Sequence, residues 1–149
     1  MAWVPYDSFL KKLNTLDDSI DWDDNSSTTV KIALVTSSYT PDRANHDFWD
    51  DISANEVSGT NYTAGGNEIA NKAVTVSSNT VKVDANDPAT WSQSASGFNN
   101  ARYAILYKDT GTASTSPLVA YADFGSDKGN VDGDFTIQLD TGGIYTLGS

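Results

Sequence analysis

Residues 29–36 read TVKIALVT, and this stretch decides the fold class. β-Branched residues dominate it, and such residues are enriched in strands because their side chains pack well on a pleated surface. Its middle, from Ile32 to Val35, is apolar without interruption, which is typical of a strand covered on both faces. We therefore predict a central strand at 29–36.

Turn-forming residues recur at short intervals after Ser58, and the segments between them have the composition of strands. Short strands with almost no helix between them favour two packed antiparallel sheets over βαβ units. The predicted fold is mainly β: an antiparallel β-sandwich, jelly-roll-like, with an up-and-down barrel as the alternative. Besides 29–36, the predicted strands are 69–76, 80–84, 90–93, 102–108, 118–124, 135–139 and 144–147.

One short N-terminal helix is predicted at residues 6–16, followed by an Asp-rich stretch that has the composition of a linker. We therefore divide the chain into an N-terminal arm and helix, 1–27, and a β-sandwich domain, 28–149. The apolar residues that recur at helical spacing are Phe9, Leu10, Leu13 and Leu16.

A second apolar group follows the central strand. Turn formers precede Phe48, Trp49 and Ile52, which fit one face of a short helical turn. We expect this excursion from the sheet to cover one end of the core.

The charge balance argues against two classes of partner. The 149 residues include 20 acidic and 9 basic side chains, a formal net charge of -11. Such a surface repels nucleic acid and anionic lipid. No apolar run reaches the roughly 18 residues of a membrane helix, and the N-terminus lacks the pattern of a secretory signal. We expect neither a nucleic-acid partner nor a membrane partner.

The inventory of reactive side chains argues against an enzyme. The chain has no Cys and one His, so thiol nucleophiles and Cys/His zinc sites are excluded. A Ser-His-Asp triad would need His46, and no G-x-S-x-G turn or phosphate-binding glycine loop occurs. We expect no catalytic residues and no cofactor.

Clusters of Asp offer two further sites, both weakly supported. Adjacent carboxylates at 21–24 and 50–51 resemble a glycosidase pair, but 18 Asp in the chain produce such pairs by composition alone. Residues 123–134 contain part of an EF-hand pattern without its bidentate Glu, so an ordinary loop is favoured and no metal site is predicted. The candidate Ca²⁺ ligands there are Asp123, Asp127, Asn130, Asp132 and Asp134.

Five aromatic residues allow a carbohydrate-binding interpretation, because sugars stack on exposed rings. Large aromatic side chains are more often core residues than binding platforms, and packing is the favoured interpretation. The five residues are Trp22, Tyr39, Trp49, Tyr62 and Trp91.

Three segments carry a resemblance to a known family. They are KIALVTSSYTPD at 31–42, AILYKDTGTASTSPLVAYADFG at 104–125, and IQLDTGGIYTL at 137–147. With them the chain resembles a family of small structural proteins from tailed-bacteriophage virions. The resemblance implies a non-enzymatic capsid decoration (cement) protein that binds the outer surface of the assembled head and stabilises the shell. Alternatives are a tail or fibre component, or a glycan-binding β-sandwich module.

Two protein partners follow from this resemblance: the major capsid protein, and the chain itself as a homodimer or homotrimer. Several contacts of modest affinity suffice in such an assembly, because multivalency raises effective concentration. Exposed aromatic residues concentrate binding energy, so residues near the N-terminus are candidates for the contact. The alternative is that they pack onto their own domain. The predicted partner-binding residues are Trp3, Val4, Pro5, Tyr6 and Trp22.

Overall fold

A computed structural model describes residues 1–16 and 20–148 of the chain. Asp17, Asp18 and Ser19, which belong to the predicted linker, lie outside the described residues. Within the described ranges there is one α-helix, α1 (Asp7–Thr15), and none long and apolar enough to cross a membrane. The strands there are β1 (Val4–Pro5), β2 (Thr29–Thr36), β3 (Asn67–Glu68), β4 (Ala73–Ser77), β5 (Thr80–Asp84), β6 (Ala101–Asp109), β7 (Leu118–Lys128) and β8 (Tyr145–Gly148).

The strands form two antiparallel sheets. The larger has the order β1-β7-β6-β2-β3, and the smaller has the order β4-β5-β8. This confirms the predicted mainly β antiparallel sandwich with one short N-terminal helix. The finer jelly-roll description stays a prediction. Because β1 belongs to the larger sheet, residues 1–16 are built into the same sandwich as the chain beyond residue 28.

Strand β2 lies inside the larger sheet, paired with β6 on one side and with β3 on the other. Its side chains are buried on both faces: Ile32 and Leu34 enter one core cluster, and Val35 enters the other. The prediction of a central strand covered on both faces is confirmed. The uninterrupted apolar run is needed because neither face of the strand meets water.

The first core cluster fills the space between the two sheets. Val83 of β5 and Phe9 of α1 close it from the far side, together with Trp91 and Phe98 from the connecting loops. Burial of such side chains stabilises the fold by about 1.5–3 kcal/mol each.

The second core cluster covers the opposite face of the larger sheet. Its lid is the excursion after β2, where Trp49 stacks on Tyr107 with ring centroids 4.8 Å apart and planes 10° from parallel. Ile52 is buried beside them. The excursion therefore packs against the outer face of the larger sheet, over the second core cluster.

Two predicted strands, 90–93 and 135–139, are not strands. Trp91 and Phe135 exchange a single pair of backbone hydrogen bonds, each 2.9 Å long. Beyond that pair, hydrogen bonds to side chains take the place of backbone bonds between strands. The backbone amide of Gln93, for example, donates to the Asp134 carboxylate at 2.7 Å. Alternating hydrophobicity indicated which residues face the core, and that pattern is the same for an extended loop as for a strand.

The segment before β2 is fastened to the outer edge of β4. The Asn25 side-chain oxygen accepts from the Lys72 amide at 2.7 Å, and its side-chain nitrogen donates to the Lys72 carbonyl at 2.9 Å. The Asp23 carboxylate accepts from the Val74 amide at 2.7 Å. These side chains therefore occupy backbone groups that a neighbouring strand would otherwise use.

Candidate protein-binding surface

Helix α1 positions a group of exposed apolar side chains that includes Leu10 and Leu16. The Tyr6 amide donates to the Val119 carbonyl at 3.0 Å, which ties the start of the helix to β7. Phe9 is buried beneath the helix and Leu13 is half-buried. Asp7 in the first turn interacts favourably with the helix dipole.

A pocket lies on each side of the helix. The first has a volume of about 150 Å³, and its outer wall includes Leu16, Ile20 and Pro117. The second has a volume of about 130 Å³ and includes Trp3, Leu10 and Leu147. Both share Phe9 and Leu13 as a wall, so α1 forms a ridge between them. We call this region the α1 surface and define it by Trp3, Leu10, Leu13, Leu16, Ile20 and Leu147.

The sequence predicted Leu10 and Leu16 on the same stripe as Phe9, but both are exposed. Phe9 and Leu13 alone make the packed face, because the helix has nine residues and covers little of the sheet. Leu16 follows the last helical turn and is 77% exposed. Exposed Leu side chains beside apolar pockets are typical of protein-binding surfaces.

The backbone of Leu16 has a left-handed conformation, with φ of 59°. Its amide donates to the Lys12 carbonyl at 2.9 Å and so closes the helix. Gly or Asn is the usual residue at such a position, because a branched side chain there costs about 1 kcal/mol or more. Leu16 thus weakens the fold slightly while presenting an apolar side chain to solvent. In the sequence, the signal that could have identified Leu16 was its position at the end of the apolar helical pattern.

Two of the predicted partner-binding residues are interior. Tyr6 is buried, and its hydroxyl lies 2.7 Å from the Tyr39 hydroxyl. Burial raises the pKa of Tyr6 far above its ordinary value and that of Tyr39 to about 12, so both stay neutral. Trp22 is buried with its ring edge-on to Tyr145. Tyr6 belongs to the second core cluster, and Trp22 belongs to the first core cluster and lines the first pocket.

The other three predicted residues lie closer to solvent. Val4 and Pro5 form β1, and the Pro5 carbonyl accepts from the Arg43 side chain at 2.8 Å. Trp3 is half-buried and lines the second pocket with Pro5. The structure therefore places Trp3 in the α1 surface and Pro5 in the wall of its second pocket.

The aromatic side chains considered for sugar stacking are core residues. Trp22, Tyr39, Trp49 and Trp91 are buried. Tyr62 is half-buried, and its hydroxyl donates to the Glu56 carboxylate at 2.6 Å. The structure therefore confirms that these five residues pack in the interior, as the sequence favoured.

Residues 123–134 are the end of β7 and the loop that follows it, and some of their polar side chains bond within the fold. Asp123 pairs with Arg102 at 2.5 Å, and the pKa of Asp123 is lowered mainly by that contact. Asn130 is fully buried and bonds to three backbone groups, described below. In the ranges 1–16 and 20–148 no three acidic or His side chains are grouped to hold a metal ion.

Other acidic side chains cap turns. The Asp21 carboxylate accepts from the amides of Asp23 and Asp24, at 3.1 and 3.2 Å. The Asp51 carboxylate accepts from the amides of Asp47 and Phe48, at 2.8 and 3.1 Å. These Asp side chains stabilise local backbone, as the composition suggested.

His46, the only histidine of the chain, contacts the hydroxyl of Tyr39. Its Nδ1 atom lies 3.2 Å from that oxygen. The ring is half-buried beside the Tyr39 ring. This places His46 at the rim of the second core cluster.

One half-buried carboxylate, that of Glu56, was not anticipated from the sequence. Burial raises the pKa of Glu56 above its ordinary value, although hydrogen bonds from Tyr62 and Gly65 oppose that shift. The Tyr62 hydroxyl in turn accepts from the Leu34 amide at 3.0 Å. Strand β3 pairs only with Lys31 and Ile32 of β2, so the Tyr62 hydroxyl provides the acceptor for the Leu34 amide farther along the strand. The network therefore completes the edge of the sheet.

Comparison with protein-family models, characterised proteins and solved structures finds no significant match to this chain. The α1 surface therefore stands on its own geometry as the candidate functional site.

Proposed function

We propose that this chain is a non-enzymatic capsid decoration protein of a tailed bacteriophage. In this proposal it binds the outer surface of the assembled head, contacts the major capsid protein through the α1 surface, and stabilises the shell. The resemblance of residues 31–42, 104–125 and 137–147 supports the family. The geometry of α1 supports the mode of binding.

The exposed Leu16 is the observation that carries this proposal. Its left-handed backbone costs stability, and its side chain makes little contact with its own domain. Strain of this kind tends to persist at functional positions. A partner can bury this apolar side chain and can also insert a side chain of its own into the adjacent pocket of about 150 Å³.

Retention on the shell requires only modest affinity at each α1 surface. Several copies of the shell protein stand close together in an assembled head, so a multivalent contact gains effective concentration. The fold suits that role because its two core clusters bury side chains on both faces of the larger sheet without disulfides.

The variant Leu16→Asn tests the surface. Asn adopts the left-handed conformation readily, so we expect the free energy of unfolding to stay the same or rise by up to about 1 kcal/mol. We expect binding to heads assembled without the chain to weaken by about tenfold or more, measured by co-sedimentation of purified chain and heads.

Asn79→Leu is the matched control, since Asn79 is exposed with φ of 64° in the β4–β5 turn. Leu at that position should lower the free energy of unfolding by about 1 kcal/mol and leave head binding unchanged. Wild-type binding by Leu16→Asn would contradict the role of the α1 surface.

Quantitative peptide mass spectrometry on virions of the encoding phage tests the function itself. We expect a copy number comparable with that of the major capsid protein, or a simple fraction of it. A handful of copies per particle would favour a tail or fibre component. Absence from the particle would overturn the virion proposal.

A further inference from the structure

The loop after β7 has a two-residue tip whose two ends are both held by Gln93. On one side of the tip, the Val131 carbonyl accepts from the Gln93 side chain at 2.6 Å. On the other side, the Asp134 carboxylate accepts from the Gln93 backbone amide at 2.7 Å. We call the two residues between these contacts, Asp132 and Gly133, the loop tip.

The loop tip itself is exposed and unbonded. In the part of the chain that the structure describes, neither the Asp132 carboxylate nor the Gly133 amide takes part in a hydrogen bond or an ion pair. Other turns in the chain are different. The carboxylates of Asp109 and Asp140 each accept from the amide two residues further on, at 2.8 and 2.7 Å. Asp132 lacks such a local contact, so its carboxyl group is not held in one place.

An exposed Asp followed by Gly can rearrange its backbone without any added reagent. The Gly amide nitrogen attacks the Cγ atom of the protonated Asp carboxyl. A C–N bond forms, a C–O bond breaks, and the released hydroxyl leaves as water with the amide proton, which closes a five-membered succinimide. Water then opens one of the two carbonyl–nitrogen bonds of the ring. Opening at the original backbone carbonyl gives isoaspartate, in which the chain runs through Cγ.

The residue after Asp132 favours this ring closure. A side chain on the attacking residue hinders the approach of its nitrogen, and Gly has none. The surroundings add no obstruction, since a Cβ atom built on Gly133 would meet no atom within 4 Å. Residues 132–133 are the single Asp–Gly pair of the chain, and the sequence has no Asn–Gly pair.

We propose that Asp132 is a modification site, which converts spontaneously and slowly to isoaspartate in the folded protein. This inference goes beyond the proposed function and does not depend on it. Isoaspartate adds one carbon to the backbone between Val131 and Asp134. Gln93 bonds to both of those residues, so the longer tip should lengthen or break one of the two bonds. Converted chains should therefore unfold at a lower guanidinium concentration than fresh chains.

Peptide mapping of the purified full chain after prolonged incubation at physiological temperature tests the proposal. We expect the peptide that contains residue 132 to separate into two species of equal mass, and a minor third species lighter by one water. The new species of equal mass should accept a methyl group from an isoaspartyl methyltransferase. The peptides that contain Asp109 and Asp140 are internal controls and should convert at least about tenfold more slowly.

Two variants separate the chemistry from general ageing of the sample. Gly133→Ala fits the open space at the tip and should slow the conversion by about tenfold or more, because the added methyl group hinders the attack. Asp132→Glu keeps the carboxylate, but its extra methylene prevents closure of a five-membered ring, so isoaspartate should be absent at residue 132. A chain unfolded in guanidinium gives the rate without the fold, and the folded chain should convert within about tenfold of it.

Three results would overturn the proposal. The first is a folded wild-type chain that forms no isoaspartate at residue 132. The second is a conversion in Gly133→Ala that is as fast as in the wild type. The third is conversion in the folded chain that is slower than in the unfolded chain by far more than tenfold, which would show that the fold protects the loop tip.

Discussion

Replacement of Asn130 by Ala is expected to lower the free energy of unfolding by about 3 kcal/mol. The Asn130 side-chain oxygen accepts from the buried Phe98 amide at 2.9 Å. Its side-chain nitrogen donates to the carbonyls of Thr60 and Ser92, at 3.2 and 2.8 Å. Removal of the side chain leaves a buried donor without its acceptor and two carbonyls without this donor. Guanidinium unfolding measures the change.

The variant Asn130→Asp separates the acceptor role of the Asn130 side chain from its donor role. The carboxylate still accepts from Phe98 but has no N–H to donate to the carbonyls of Thr60 and Ser92, and it places a charge in a fully buried position. We expect this variant to be at least as unstable as Asn130→Ala at neutral pH. Asn99→Ala, at an exposed neighbouring position, is the control. A change of less than about 0.5 kcal/mol in Asn130→Ala would contradict the role given to this side chain.

Trp49→Ala is expected to cost about 4 kcal/mol of unfolding free energy. Trp49 is 7% exposed, and its stacking on Tyr107 holds the excursion after β2 against the larger sheet. Without the indole, the face of the sheet that carries Val35 and Ile105 is opened to water. The loss should appear both in guanidinium unfolding and in faster amide exchange along β2 and β6.

Trp3→Ala is the comparison for that experiment. Trp3 is half-buried at the second pocket, so the same truncation there should cost clearly less and should leave amide exchange in β2 unchanged. Equal destabilisation by the two variants would show that the excursion is not the cover of the outer face.

The parts of the fold that were predictable from sequence are those with a strong local pattern. Residues 29–36 gave the central strand, because an uninterrupted apolar run of β-branched residues has few other structures available. Strands β1 and β3 were missed because two residues carry no periodicity. The segments around Trp91 and Phe135 were wrongly predicted to be strands. Side chains, such as those of Gln93 and Asp134, make the hydrogen bonds to their backbone groups that a neighbouring strand would make.

The candidate site was less accessible than the fold. Apolar periodicity identified Leu10 and Leu16 but could not tell whether a helix of nine residues would bury them. The exposure of Val76 and the half-burial of Val81 were hidden for a related reason, since both residues have the alternation of core residues. Their exposure depends on how far one sheet extends beyond the other, and that offset is set by tertiary packing.

The attachment of Asn25 and Asp23 to β4 has a consequence for crowding on a surface. An open strand edge recruits further strands, and successive additions build filaments. At Lys72 and Val74 the backbone groups that would begin such growth are already occupied by side chains. Strand addition at this end of β4 is therefore blocked. Copies held at high local density are therefore kept from joining through this edge.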